Sequence, residues 1–356
     1  MRILAEAMGM RHRGHELLIA APPESRIYAE ARKRGLETRA LPLARKSFAG
    51  VRAMRTLIKA EDVQVVNTHS STDSWLTALS CIGLAGAPVI VRTRHISAPI
   101  PSNPFTRWLY VRAAAHVVTT GEALRRQVIA EAGADPARVT SVPTGIDLNH
   151  FHPGDRIAAR AELGLAPEDF LAGIVATLRS WKGHRYLLDA IARIPETRVK
   201  AVVVGGGPGE DNLRRQAADL GIEARVIMAG QREDVVSWLQ SFDVFALPSY
   251  ANEGVPQAIM QAMACGLPVI TTAIGAIGEA ARDGVTALMV PPQNTDALVA
   301  ALLRLRDDAA LRARLGQAGL TEARARFSEG AMLDRMEAIF LSAVRDKEVL
   351  SGASAT

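Results

Sequence analysis

Short apolar runs alternate with helix-length patterned segments along almost the whole chain, and that alternation restricts the fold more than any other feature. Residues 63–68, 88–93, 117–119 and 139–142 read as strands in the first part, separated by helical patterns. A Pro/Gly-rich break runs from Pro143 through Gly145 and Asp147 to Phe151 and Pro153. Beyond it the alternation restarts, with strand-type runs at 171–177, 199–204, 225–228, 244–247, 269–272 and 287–290. Strands alternating with helices build parallel α/β sheets. The expectation is two α/β units, 1–152 and 153–326, with a last helix near 327–345. Such sheets bind ligands at the carboxyl ends of their strands, and two facing sets of strand ends make a cleft.

At 356 residues the chain is long enough for two ordinary domains. It is 48% hydrophobic and 22% charged, a composition that buries cores and excludes disorder. Its two cysteines, Cys81 and Cys265, lack paired or metal-type spacing. With no signal-peptide pattern visible, a reduced, cytoplasmic setting is expected. Residues 74–91 form an uncharged run broken by Ser80, Gly83, Gly86 and Pro88. It reads as helix, turn and strand rather than a membrane span. The net charge of +5 permits anionic substrates or a peripheral membrane contact. No helix-turn-helix or aromatic–basic RNA pattern stands out, so nucleic acid is not expected.

The densest chemistry lies between Pro248 and Ile270. After a buried-type strand, Pro256 suits a first helical position, and Gly266 with Pro268 stops the helix. Gly254, Val255, Pro256 and Gln257 then sit at a helix start, where free N–H groups and the dipole favour an anion. Glu253 stands just ahead, and Gln257 and Gln261 share one face at i, i+4. Arg179 and Lys182 follow another strand; with that helix start they suit a diphosphate. The turn at 205–209 is glycine-rich, but Glu210 occupies the third glycine position of a dinucleotide fingerprint. His69 and His95 fall at strand ends as acid/base or hydrogen-bonding groups, although structural histidines are commoner there. No metal-ligand spacing is present. Arg45, Lys46, Arg52, Arg55 and Lys59 line a basic helix, and 105–112 sets Phe105, Trp108 and Tyr110 beside arginines. Both segments fit interfacial helices, or merely solvated helix faces.

Four features in order resemble glycosyltransferase family 4, the retaining nucleotide-sugar-dependent enzymes of GT-B architecture. They are Pro143 to Asp147 with Phe151 and Pro153; Arg179 with Lys182 and Gly183; Pro248 and Ser249 with Glu253, Gly254 and Pro256; and Ala262 to Ile270 with Gly266 and Pro268. The resemblance implies two Rossmann-like, doubly wound domains, the first binding the acceptor and the second the nucleotide sugar. It implies Arg179 and Lys182 on the diphosphate, Glu253 and His95 at the donor sugar as the catalytic pair, and the 254–257 backbone on phosphate and sugar. His69 falls on the acceptor side. The expected reaction is transfer of a sugar to an acceptor hydroxyl without metal or other cofactor. A glycan or lipid-linked acceptor, as in lipopolysaccharide or other cell-envelope synthesis, fits the basic first domain.

Two departures from the family stand out. The glutamate that binds ribose in relatives is Gln261 here, an amide still able to hydrogen-bond a hydroxyl. Relatives begin with a strand and Gly-rich loop, whereas this sequence opens on the first helix. The first domain is therefore expected to lack its N-terminal strand, through an upstream native start or a truncation. Rival readings are a GT-B sugar-nucleotide epimerase, which needs no acceptor, and a non-catalytic nucleotide-sugar binder. A nicotinamide-dependent oxidoreductase ranks behind both because its glycine spacing fails.

Overall fold

The computed structural model describes residues 2–96, 98–251 and 253–353, with side chains through 349. It divides into two compact units, Met1–Gly145 with Glu329–Thr356, and Ile146–Ser328. The first crossing falls earlier than the 152/153 boundary read from the sequence, for a local reason. The Ile146 N–H donates to the Phe327 carbonyl at 2.7 Å, and Ile146 bridges to Ser328. The incoming and outgoing chains thus enter and leave unit 2 side by side.

Unit 1 opens with α1 (Arg2–His12), β1 (Leu18–Ala21), α2 (Arg26–Lys33), β2 (Glu37–Ala40), α3 (Phe48–Ala60) and β3 (Val65–Thr68). It continues through α4 (Ser71–Cys81), β4 (Val89–Arg94), α5 (Pro104–Trp108), β5 (His116–Thr119), α6 (Glu122–Ala132) and β6 (Val139–Ser141). Side chains of Ser25, Ser47, Ser70 and Asn103 accept first-turn N–H groups and so start four of the helices. At α4 the Ser70/Asp73 pair forms a full capping box. The uncharged run is indeed helix, turn and strand, and no described helix is long and apolar enough to cross a membrane.

All strands are parallel, but they fall into two sheets, β1-β2 and β3-β4-β5-β6. The tie between the sheets is α1. Its Leu4 and Ala7 pack with Ile19 and Ala21 of β1, while Met10 packs with Val89 and Val91 of β4. Asn67 of β3 adds a side-chain hydrogen bond to Glu6 Oε1 at 2.7 Å.

Unit 2 comprises α7 (Arg156–Leu163), β7 (Phe170–Val175), α8 (His184–Arg193), β8 (Val199–Val204), α9 (Glu210–Asp219), β9 (Val226–Gly230), α10 (Val236–Ser241) and β10 (Val244–Leu247). It ends with α11 (Gln257–Ala264), β11 (Val269–Thr271), α12 (Ile277–Ala280), β12 (Ala287–Met289), α13 (Thr295–Asp307) and α14 (Ala309–Arg326). One parallel sheet runs β12-β11-β10-β7-β8-β9. Its strands are nearly continuous apolar runs because helices cover both faces. Val202, Val244, Phe245 and Ile270 are fully buried in a single core. Strand order reverses direction between β7 and β10, the switch point at which doubly wound sheets open a crevice.

The last helix, α15 (Glu329–Ala353), belongs to unit 1 and is much longer than the 327–345 segment expected. It packs on α1, where Leu333 fills the space a side chain at Gly9 would need. Arg13 pairs there with Asp334 at 2.5 Å and Glu337 at 2.6 Å.

Candidate functional site

In unit 2 both strands flanking the switch point lead into the singled-out residues. After β7 the chain passes Arg179 and makes a tight turn through Ser180–Lys182 before α8. After β10 it runs from Pro248 to Glu253 before α11; Asn252 lies outside the described residues. The two loops meet. Lys182 Nζ donates to both Glu253 carboxylate oxygens, at 2.8 and 2.9 Å. Gly183 makes the approach possible. Its φ is +82°, and a Cβ there would lie 2.1 Å from the Pro248 carbonyl oxygen.

Glu253 is 8% exposed and held from behind as well. The buried Ser249 hydroxyl donates to Glu253 Oε1 at 2.6 Å, and Thr272 Oγ1 donates to the Ser249 carbonyl at 2.6 Å. On the backbone, the Ala276 N–H donates to the Glu253 carbonyl, beside Gly275 at φ +62°. Thr272 and Gly275 were not singled out from the sequence, and Ser249 was named there only as part of the motif from Pro248 to Pro256, with no role of its own.

The helix that follows starts one residue later than the sequence suggested. Pro256 is the N-cap of α11, not its first helical residue, because its ψ of 118° is extended. No side chain caps this end, so the first-turn N–H groups remain available to an anion. Gly254 and Gln257 are exposed there, Val255 is half-buried and Pro256 is buried. Gln261 follows Gln257 along the open side, while Ile259, Met260 and Met263 enter the core. Arg179 is exposed, with its guanidinium 5.8 Å from the centre of the Trp181 ring. The structure therefore joins Lys182 to Glu253 and leaves Arg179 outside that pair.

Two cavities border these loops. One, of about 170 Å³, lies at the ends of β7, β8 and β9 and is lined by Ala176, Thr177, Gly205, Gly206, Gln231 and Arg232. The other, of about 360 Å³, lies between Arg179, His184, Gly209 and Asn212. The glycine-rich turn joins β8 to α9 and is tied to the Leu178 backbone on both sides. Leu178 N–H donates to the Gly206 carbonyl, and Gly209 N–H to the Leu178 carbonyl. Among the described residues no group of three or more His, Cys, Asp or Glu is placed to hold a metal ion.

In unit 1 the two histidines meet at the ends of β3 and β4. His69 Nδ1 lies 3.1 Å from His95 Nε2, and the rings stack 5.3 Å apart. Burial pushes the His69 pKa down to about 3, with help from the neighbouring His95 and Arg2. Burial and then the Arg2 charge push His95 down to about 4. Both rings are neutral at pH 7, so one can donate its N–H to the other and still offer a nitrogen outward. Arg2 is buried at the start of α1, donating to the Val142 carbonyl at 2.5 Å, with its Nε 3.6 Å from Glu6. One sequence reading fails here. Tyr110 is no surface aromatic, because it is 3% exposed, under the Arg92 guanidinium and accepting a hydrogen bond from Arg94.

A six-stranded doubly wound unit paired in sequence with a second parallel α/β unit is the GT-B architecture. The family is shown directly: the chain belongs to glycosyltransferase family 4. Residues 2–150 match the model described as Glycosyltransferase Family 4, and residues 155–321 match Glycosyl transferases group 1. The D-inositol 3-phosphate glycosyltransferase of Mycobacterium sp. (strain KMS) is 32% identical over 323 residues, covering 81% of this chain and 73% of that protein. In fold, the chain is similar to a glycosyltransferase from Rickettsia africae ESF-5, with a TM-score of 0.88 at 18% identity over 96% of this chain and 94% of that one. It is also similar to Anabaena HepE in complex with UDP-glucose, with a TM-score of 0.78 at 21% identity over 96% and 95% of the two chains.

Proposed function

We propose that this glycosyltransferase uses a nucleoside diphosphate-sugar as donor and binds it in unit 2. The observation carrying the reading is the Lys182–Glu253 pair set beside the uncapped start of α11 at the switch point. Lys182 spends two of its three N–H donors on the carboxylate, and the third can reach a phosphate oxygen. It then bridges a fixed anion and a bound one. Arg179 supplies a second cation, and the α11 N–H groups supply neutral donors that strengthen as the leaving diphosphate gains charge. Glu253 contacts the donor sugar, and Gln261 hydrogen-bonds the ribose in place of a carboxylate.

The sugar C1–O bond to phosphate breaks, and a C1–O bond to the acceptor oxygen forms. The acceptor proton leaves with the diphosphate, and anomeric configuration is retained. Unit 1 provides the acceptor side, with neutral His95 and His69 as its hydrogen-bonding groups. The named substrate of the mycobacterial relative is a phosphorylated polyol, and the cations of unit 1 favour a similarly anionic acceptor. A lipid-linked glycan of the cell envelope fits this chemistry, and the cytoplasm supplies such donors. The reaction needs no metal in this reading, since cations and helix N–H groups meet the diphosphate charge.

A thermal-shift panel of UDP, ADP, GDP and CMP on the wild type and on Arg179→Ala/Lys182→Ala tests the donor half. At ~100 times the dissociation constant the matching diphosphate stabilises by ~2.7 kcal/mol. The shift is expected to vanish in the double variant. A clean melt indifferent to every nucleotide overturns the reading. With the base known, transfer from the labelled donor to lipid extracts, and the anomeric coupling of the product by NMR, test acceptor and retention. Donor turnover that needs no acceptor favours an epimerase instead, and binding without turnover a non-catalytic binder.

A further inference from the structure

Unit 1 carries a face whose charge and apolar side chains are organised together. On α3, Phe48, Arg52, Arg55 and Lys59 recur at i, i+4, i+7 and i+11, opposite the buried Gly50 and beside the solvent edge of Met54 and Ile58. No acid occurs anywhere in that helix. Phe48 is 83% exposed at its first residue. On α4, Trp75 and Leu79 share a face at i, i+4, and Ile82 follows just past the helix end; Leu79 is 41% and Ile82 58% exposed.

Contacts join the stripes into one surface. Lys46 Nζ sits 5.2 Å over the Trp75 ring, and Trp75 packs against Trp108 of α5 at 6.0 Å. Arg55 donates to the Ser80 and Ile82 carbonyls at 2.8 Å each, tying α3 to the end of α4. Phe105, one turn before Trp108, is 73% exposed. Between Asp73 and Glu122 the sequence contains no acid at all. Of the acids at the border, Asp73 accepts backbone N–H groups at the start of α4, Glu61 pairs with Arg39 and Glu131 accepts the Ile100 N–H, while Asp62 is exposed just past the end of α3.

We infer that this face docks on an anionic lipid bilayer, with Phe48 and Phe105 entering the interface and Lys46, Arg52 and Lys59 held over the headgroups. The occupant follows from the chemistry. Exposed aromatic and aliphatic side chains stand singly among cations on three separate elements, an arrangement that matches a fluid apolar–anionic boundary. A folded acidic protein would instead need a shaped apolar centre with a polar rim. The inference agrees with a lipid-borne acceptor but is measured without any transfer reaction.

The test is co-sedimentation of the full chain with sucrose-loaded vesicles of phosphatidylcholine alone and of equal parts phosphatidylcholine and phosphatidylglycerol. Wild type is expected to bind the anionic vesicles and to release in high salt. Arg52→Glu/Lys59→Glu should lose at least about tenfold in partitioning. Phe48→Ser/Phe105→Ser should lose a similar factor while keeping the preference for anionic lipid. All four substitutions are at exposed positions, so the melting temperature is the control for folding. Equal binding to both vesicle types, or wild-type binding by either variant, overturns the inference. So does binding of soluble polyglutamate with both vesicles ignored, which would indicate an acidic protein partner. A change in the mass of lipid-free protein on substitution would make the face a self-interface, and overturns it too.

Discussion

At the scale of single residues, protonation offers a sharp check. An imidazole in the unfolded chain titrates near 6.5, whereas His69 and His95 titrate in the folded chain at about 3 and about 4. Between these values the unfolded state binds more protons than the folded one, so stability falls as pH drops from ~6.5 toward ~4. Their contribution is complete above ~6.5 and lost below. NMR titration assigned with His69→Gln and His95→Gln should find both rings neutral at pH 6; either one titrating near 6.5 contradicts the half-buried geometry beside Arg2. How much of the site the sequence revealed also divides by residue. Glu253 and Lys182 are legible because residue type and local spacing suffice to mark them. Ser249 is legible as part of a motif but its role is not, since its hydroxyl matters only once the loop after β10 folds back and brings Glu253 over it. Tyr110 was misread because aromatic–basic spacing does not reveal which side of a short helix faces the core.

At the scale of elements, the glycine between the Ser180–Lys182 turn and α8 carries the most weight. Gly183→Ala puts a methyl group within 2.1 Å of the Pro248 carbonyl oxygen and also strains a left-handed backbone. Either loop must retreat, and the Lys182–Glu253 contact opens. The variant should melt as a folded protein yet lose at least about tenfold in nucleoside diphosphate affinity by calorimetry, a loss of ~1.4 kcal/mol. Unchanged affinity would show that the two loops are not positioned through this glycine. Most elements were legible because their punctuation is local: serine caps, glycine stops and period-2 or period-3.6 apolar patterns. The end of α15 was not: its apolar packing on α1 and β4 reaches Val344, and beyond it the Lys347 ammonium donates to the Ala87 carbonyl, a long-range contact that no local signal marks.

At the scale of the molecule, the two units are built to different standards. Unit 2 has one unbroken six-stranded sheet and one continuous core, whereas the apolar residues of unit 1 fall into several smaller clusters around two sheets. Larger single cores resist denaturant better. Urea unfolding followed by hydrogen exchange should therefore show unit 1 losing protection first, and a bound nucleoside diphosphate should raise only the later transition. A single coincident transition in both units would contradict this. The expectation of two parallel α/β units survives at this scale because alternation is written along the whole chain. The division of the first sheet agrees with the expectation that this domain lacks a strand, although the pairing itself is a long-range property. That division has a further consequence. Two sheets present four strand edges where one presents two, and each edge is a row of N–H and C=O groups able to add a foreign strand. In a concentrated solution unit 1 is therefore expected to seed intermolecular β-structure first, and amyloid-type infrared bands should report its strands before those of unit 2.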